Sequence, residues 1–182
     1  MNADAPRPTV RVRRATAHDA RALADIAART FAAAFGDSNS PEDLALHLTK
    51  SYSEAQQGAE IADPDVDVLL AEVDDSLAGY AQIRVGEAPA CVAHLAPFEL
   101  WRFYVDTPWH GRGVAQALME AVADAARARG ASALWLSVWE HNPRAQAFYA
   151  KCGFVQAGTK PFVVGTDVQN DWVMLRRFAG EE

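Results

Sequence analysis

The sequence predicts a mixed α/β (α+β) fold built on a mixed sheet, and three observations carry that expectation. A strand–helix–strand unit reads out from Phe98 to Trp139. Elsewhere the apolar positions switch repeatedly between a period of two and one near 3.6. Half of the 182 residues (50%) are apolar against 23% charged, the balance of a chain that can bury a core. Ala133–Trp139 is nearly continuous apolar sequence, which suits a strand covered on both faces. The helix expected over 113–129 carries Val114, Leu118, Ala121, Val122 and Ala125 as its buried stripe, and a right-handed crossover lays its flanking strands parallel.

The elements follow in order. Residues 9–14 alternate and read as a first strand. Thr16 and Asp19 have capping-box spacing, and behind them Leu23, Ile26, Ala27, Phe31, Ala34 and Phe35 share one helical face. Ser40 and Pro41 start a second helix, continued by Leu44, Leu48 and Tyr52; residues 53–62 add a short third one, ended by Asp63 and Pro64. Val66–Val73 and 77–85 are strands of a hairpin turning at 74–76. Residues 86–97 form a loop, Phe98–Val105 a strand, and Gly130 closes the helix before Ala133–Trp139. Asn142 and Pro143 cap a helix ending at Gly153; 154–159 and 171–178 are final strands, joined by an extended connection over 160–170. With no repeat and no linker, a single domain over 1–182 is expected.

Seventeen basic against 24 acidic residues give a net charge of −7, a balance that disfavours nucleic acid and anionic membranes as partners. Cys91 and Cys152 are too few for a disulfide scaffold, and the five histidines show no ligand spacing, so no metal is expected. The arginines at 7, 11, 13 and 14 precede no apolar stretch of signal-peptide type, and no apolar run is long enough to span a membrane. A cytoplasmic domain is the expectation.

Between the strand at 98–105 and the following helix stand Trp109, His110, Gly111, Arg112, Gly113, Val114 and Ala115. Two glycines and an alanine at a helix start let backbone approach a bulky anion, where unpaired N–H groups and the positive helix end hold phosphate oxygens. A tight structural turn explains the glycine pair equally well. There is no Gly-Lys-Ser/Thr sequence, which excludes a nucleoside-triphosphate loop. Three or four elements precede the loop and no second half follows, which excludes a dinucleotide fingerprint.

The run from His110 to Ala115 resembles the pyrophosphate-binding segment of the GNAT superfamily of N-acetyltransferases, whose pattern is Gln/Arg-x-x-Gly-x-Gly/Ala. The likeness continues through residues 134–138, Asn142 and 147–154, and earlier through 77–80 and 103–105, covering roughly 66–159. Residues 162–171 further resemble the tail of a branch similar to bacterial spermidine/spermine acetyltransferases. His110 departs from the pattern, standing where the family has Gln or Arg. The resemblance implies a mostly antiparallel central sheet with one splayed parallel strand pair and helices on both faces. It implies transfer of an acetyl group from acetyl-CoA, the cosubstrate, to a primary amine by direct attack.

On that resemblance, backbone groups of Phe103, Tyr104 and Val105 hold the pantetheine and acetyl carbonyl, and His110, Gly111, Arg112, Gly113, Val114 and Ala115 hold the pyrophosphate. Tyr149 protonates the departing sulfur; as a core tyrosine it would instead bond to backbone. Asn142 is an N-cap that also contacts the cofactor, and Lys151 and Arg144 face the 3′-phosphate unless they are merely solvated. Some relatives place a basic glutamate where this chain has Ser137. Glu99 and Glu140 remain as candidate catalytic acids, each also readable as a surface or substrate-orienting carboxylate, and a water chain is the alternative base.

Residues 36–75 carry eleven acids against one base, Lys50, whereas residues 99–182 balance at nine against nine. In the family this earlier segment walls the acceptor site, so an acidic wall would concentrate a cationic amine; acids solubilising exposed helices explain the count equally well. The expected acceptor is a small cationic amine such as a polyamine. The alternatives are a protein N-terminus or lysine and, in another class, a non-catalytic CoA-binding sensor, against which Tyr149 argues. Dimers are common in the family, which makes a homodimer an expectation.

Overall fold

The computed structural model describes residues 9–38, 40–164 and 167–178. One seven-stranded sheet has the order β1-β2-β3-β4-β5-β7-β6: β1 Val10–Arg14, β2 Val66–Val73, β3 Ser76–Arg84, β4 Phe98–Val105, β5 Ala133–Trp139, β6 Val155–Val164 and β7 Asp167–Arg177. The helices are α1 Ala20–Phe35, α2 Pro41–Ser51, α3 Glu54–Ala62, α4 Val114–Ala128 and α5 Pro143–Lys151. Strands β4 and β5 run parallel, while β1–β2, β5–β7 and β6–β7 are antiparallel. The mixed architecture expected from the sequence is the one observed.

Contacts divide the chain into two compact units, Met1–Gln82 with Arg102–Ala121, and Ile83–Trp101 with Val122–Glu182. In the first, Leu23, Ile26 and Ala27 of α1 pack with Tyr52, Val68, Leu70 and Tyr80. Helix α1 buries Thr30, whose hydroxyl donates to Ile26 O at 2.8 Å, and leaves Ala34 exposed, against the face read from the sequence. The expected helix starts hold: Ser40 accepts from Asp43 N at 3.1 Å and Ser53 from Gln56 N at 3.2 Å. Asp74 and Asp75 take φ of 49° and 60°, the two left-handed residues that a tight β2–β3 hairpin needs.

In the second unit, Val92, Ala133, Trp135, Val173 and Leu175 form a buried cluster. The final hairpin departs from expectation, because β6 runs on through Pro161 to Val164 and pairs Pro161 with Asn170. Pro161 is accommodated because β6 is an edge strand, the place in a sheet where proline is tolerated. Part of the expected connection, 165–166, lies outside the described residues, as does the end of the chain beyond Phe178.

Helix α4 buries Val114, Leu118, Met119, Val122, Ala123 and Ala126 completely or nearly so. Its stripe is therefore rotated from the expected one, with Ala121 and Ala125 at the flank. Gly130, at φ 81°, ends the helix: Ala131 N donates to Ala126 O at 3.0 Å and Gly130 N to Arg127 O at 2.8 Å, which satisfies two orphan carbonyls.

Candidate active site

In the first compact unit, one set of candidate residues grows from the end of β4. Phe103, Tyr104 and Val105 are each half-buried, and Tyr104 stacks on Tyr80 with ring centroids 5.6 Å apart. Strand β3 comes close here at Gly79, where an added Cβ would lie 2.8 Å from Tyr104 O and 3.3 Å from Val105 Cα. Only glycine allows that approach. Asp106 then turns the chain: its carboxylate accepts from Thr107 N at 3.0 Å and from Arg29 at 2.9 and 3.0 Å, and its N–H donates to Ala78 O at 2.8 Å.

A short 3-10 turn at Thr107–Trp109 leads into the glycine loop. His110 Nε2 donates to Val105 O at 2.7 Å, so the residue that departs from the family pattern clasps the loop to the strand it left. Gly111 and Gly113 take φ of 74° and 86°, with no atom within 4 Å of a Cβ placed on either. Their requirement is therefore conformational, and the space over both is open to a ligand. Arg112 is exposed and rests over the Trp109 ring at 5.4 Å. Val114 is fully buried, Ala115 half-buried.

The first N–H groups of α4 lack intrahelical acceptors by the geometry of any helix. Helices α2 and α3 answer that positive end with Glu42, Asp43 and Glu54, whereas α4 has no acid in its first turn. An anion can supply what the sequence withholds. The glycines, the open space and Arg112 thus fit a pyrophosphate, as CoA binding requires.

In the second compact unit, a further set of candidate residues lies on the start of β4, on β5 and on α5. Strands β4 and β5 pair at Phe98↔Leu134 and Glu99↔Trp135, and β5 runs on to Trp139 beside β7. Glu99 is half-buried and accepts from Arg84 Nε at 2.5 Å; that guanidinium stacks over Trp101 at 4.0 Å. Asn142 Oδ1 accepts from Ala145 N at 3.1 Å, the expected cap. Tyr149 sits among Phe148 and Phe154, edge-on at 5.5 and 5.8 Å, and burial pushes its phenol well above the usual tyrosine range. Lys151, Arg144 and Ser137 are exposed, and Glu140 is half-buried with its carboxylate 3.9 Å from His141. Cys91 and Cys152 are free thiols, and among the described residues no group of His, Cys, Asp and Glu could hold a metal.

The structure redistributes the acidic segment. Glu60 is nearly buried and accepts from Arg102 Nη1 at 2.6 Å and Gln82 Nε2 at 2.8 Å. Glu72 accepts from Arg13 Nε at 2.8 Å, and Asp67 bonds Arg14. Three of the acids are therefore structural ion-pair partners of arginines outside the segment. Asp37, Glu42, Asp43, Glu54, Asp63, Asp65, Asp74 and Asp75 remain exposed. The arginine partners, together with Asp171, were not foreseen: Arg84, Arg102 and Arg13 act through strand register, which leaves no local signal.

A family model for the acetyltransferase (GNAT) family matches residues 21–154. An uncharacterised N-acetyltransferase of Mycobacterium bovis is 38% identical over 158 residues, covering 87% of this chain and 97% of that protein. Another, from the pepI 3′ region of Lactobacillus delbrueckii subsp. lactis, is 36% identical over 151 residues, covering 83% and 87%. The PaiA N-acetyltransferase of Thermoplasma acidophilum, solved with coenzyme A, superposes with a TM-score of 0.74 at 20% identity, covering 93% of this chain and 99% of that one. The chain belongs to the GNAT family of acetyltransferases. It is an N-acetyltransferase, and its acyl donor is acetyl-CoA.

Proposed function

We propose that this enzyme acetylates a primary amine of a small cationic molecule, with polyamines the leading class. The observation that carries the acceptor class is the set of eight acids on the turn after α1, on α2, on the α3 start, on the following turn and on the β2–β3 hairpin that remain exposed after the structural ion pairs are removed. Lys50 is the one basic residue in the same segment. An unbalanced field of that sign raises the local concentration of a dication.

In this reading the glycine loop and Arg112 hold the pyrophosphate, with the N–H groups from Val114 and Ala115 at the positive helix end. Backbone groups of Phe103, Tyr104 and Val105 hold the pantetheine arm and polarise the acetyl carbonyl. Acetyl-CoA supplies an activated acyl group. Tyr149 gives its proton to the sulfur as the C–S bond breaks, a task that a phenol kept protonated by burial can perform. Asn142 and Lys151 serve the cofactor, while His110 holds the loop. Glu99, fixed by Arg84, orients the acceptor rather than deprotonating it.

The test is a panel of polyamines, aminoglycosides, amino acids, neutral amines and N-terminal peptides, assayed with acetyl-CoA for CoA release and for acetylated product by mass. Highest kcat/KM among the polyamines supports the proposal. Preference for peptides would transfer the enzyme to protein acetylation, and CoA binding without turnover would make it a sensor.

A further inference from the structure

We propose that Asp171 is the general base that removes the proton from the acceptor ammonium; this rests on the acetyl-transfer reading above. An alkylammonium with a pKa near that of lysine, about 10.4, arrives protonated at neutral pH, and its lone pair attacks only after that proton leaves. A carboxylate not already hydrogen-bonded to a guanidinium, as Glu99 is, is the group this needs.

Strand register places one. Asp171 lies in β7 directly opposite Trp139 of β5 on one side and Lys160 of β6 on the other. Opposed residues of antiparallel strands share a face, and the period of two extends that face through Val173 and Ser137 to Leu175 and Trp135. The position is the carboxyl end of β5, whose parallel register with β4 consists of two residue pairs near the other end. Ligands of open sheets sit outside the carboxyl ends of parallel strands.

The surroundings suit proton transfer. Trp139 lies beside Asp171 with its indole nitrogen buried and without a hydrogen-bond partner among the described residues. Lys160 faces Asp171 from β6 and Glu140 from the residue after β5, with His141 3.9 Å from Glu140; Cys91 of the loop before β4 reaches Gly158 further along β6. Burial raises the Asp171 carboxyl above its usual range, Lys160 opposes that rise and Glu140 adds to it, and the outcome is a more basic carboxylate. Glu99 is the alternative acid on this part of the sheet, and Arg84 already occupies it.

The balance closes. One N–H proton passes from the ammonium to the Asp171 carboxylate, and the freed nitrogen pair forms the N–C bond at the thioester carbonyl. The C–S bond breaks and the sulfur takes the Tyr149 proton. The nitrogen's second surplus proton returns through water to the Tyr149 phenolate, and Asp171 releases its own to solvent. Amide, CoA thiol and one proton result.

The experiment is the pH profile of kcat/KM for spermidine in the parent enzyme, Asp171→Asn and Lys160→Met, with CoA affinity and melting temperature measured alongside. Asp171→Asn should lose on the order of 10²–10⁴-fold near neutral pH, lose the acidic limb, and recover as pH approaches the pKa of the amine. CoA affinity should hold. An active parent whose Asn variant keeps its limb and turns over within about threefold of it overturns the assignment alone. A Lys160→Met loss equal to that of the Asn variant, with the limb intact, assigns the pair to structure and also overturns it. A parent inactive on every amine overturns the acetyl-transfer reading itself. If the Asn variant fails to fold, Asp171→Glu carries the test: its limb should shift, and an unmoved limb contradicts the proposal.

Discussion

Tyr149 is a phenol whose surroundings set its protonation state. Burial, with Cys152 adding to it, raises its phenol above the usual tyrosine range and keeps it protonated, the state that the proposed role of acid to the departing thiolate requires. Tyr149→Phe keeps the ring and its packing. We expect kcat to fall by on the order of 10²–10⁴-fold with CoA affinity unchanged, because the interaction strengthens only as charge develops on sulfur. Near-parental kcat with chemistry rate-limiting would make it a packing residue. Gly79 is a second position where one atom decides. Its missing Cβ leaves room for Tyr104 O at 2.8 Å from where that atom would stand, and backbone cannot swing away as a side chain can. Gly79→Ala should therefore lower stability by about 1–3 kcal/mol, the usual cost of overpacking, read by denaturant titration. An unchanged midpoint would show that β3 and β4 separate easily at this point.

Among the elements, helix α4 differs at its start from α2 and α3. Those two place serine caps and acids over their positive ends, whereas α4 begins behind a glycine at φ 86° with no acid in its first turn. Such a start costs the isolated helix a cap worth about 1 kcal/mol and leaves its N–H groups open, as the proposed pyrophosphate site requires. Gly113→Asp would place a carboxylate there and should abolish CoA binding by calorimetry. Gly113→Ala is the control for the backbone, since it pays the left-handed penalty of about 1–2 kcal/mol without the charge. If the Asp variant is folded and binds CoA like the parent, the pyrophosphate lies elsewhere.

At the scale of the whole molecule, what the sequence shows and what it hides divide by distance along the chain. Ser40, Ser53, Asn142 and Gly130 were legible as helix ends because each acts within one turn of itself. The glycine turn ahead of α4 was legible in the same local way and the mixed sheet through its strand–helix–strand unit, whereas the roles proposed for that loop and for Tyr149 rest on the family resemblance. The strand expected to end at 159 runs on to Val164, because its pairing with β7 on the edge of the sheet is set by residues outside it. The acids misled more seriously. Glu60 is held by Arg102, 42 residues away, Glu72 by Arg13 at 59 and Asp67 by Arg14 at 53, so a count within 36–75 overstates the field an acceptor meets. Asp171 was hidden for the same reason, since only β7 register sets it opposite Trp139.

The exposed remainder of those acids still carries the acceptor assignment, and salt tests it because screening acts on exposed charge and spares direct contacts. The Debye length falls from about 10 Å at 0.1 M salt to about 3 Å at 1 M. The deciding measurement is kcat/KM for spermidine and for a neutral-tailed primary amine, at saturating acetyl-CoA, across that range of salt. Spermidine should be preferred at low salt by on the order of tenfold or more, through KM, and the preference should shrink as salt rises while the KM for acetyl-CoA changes less. Equal kcat/KM for the two amines, or a preference that salt leaves untouched, would contradict a small cationic amine drawn in by the exposed acids of 36–75.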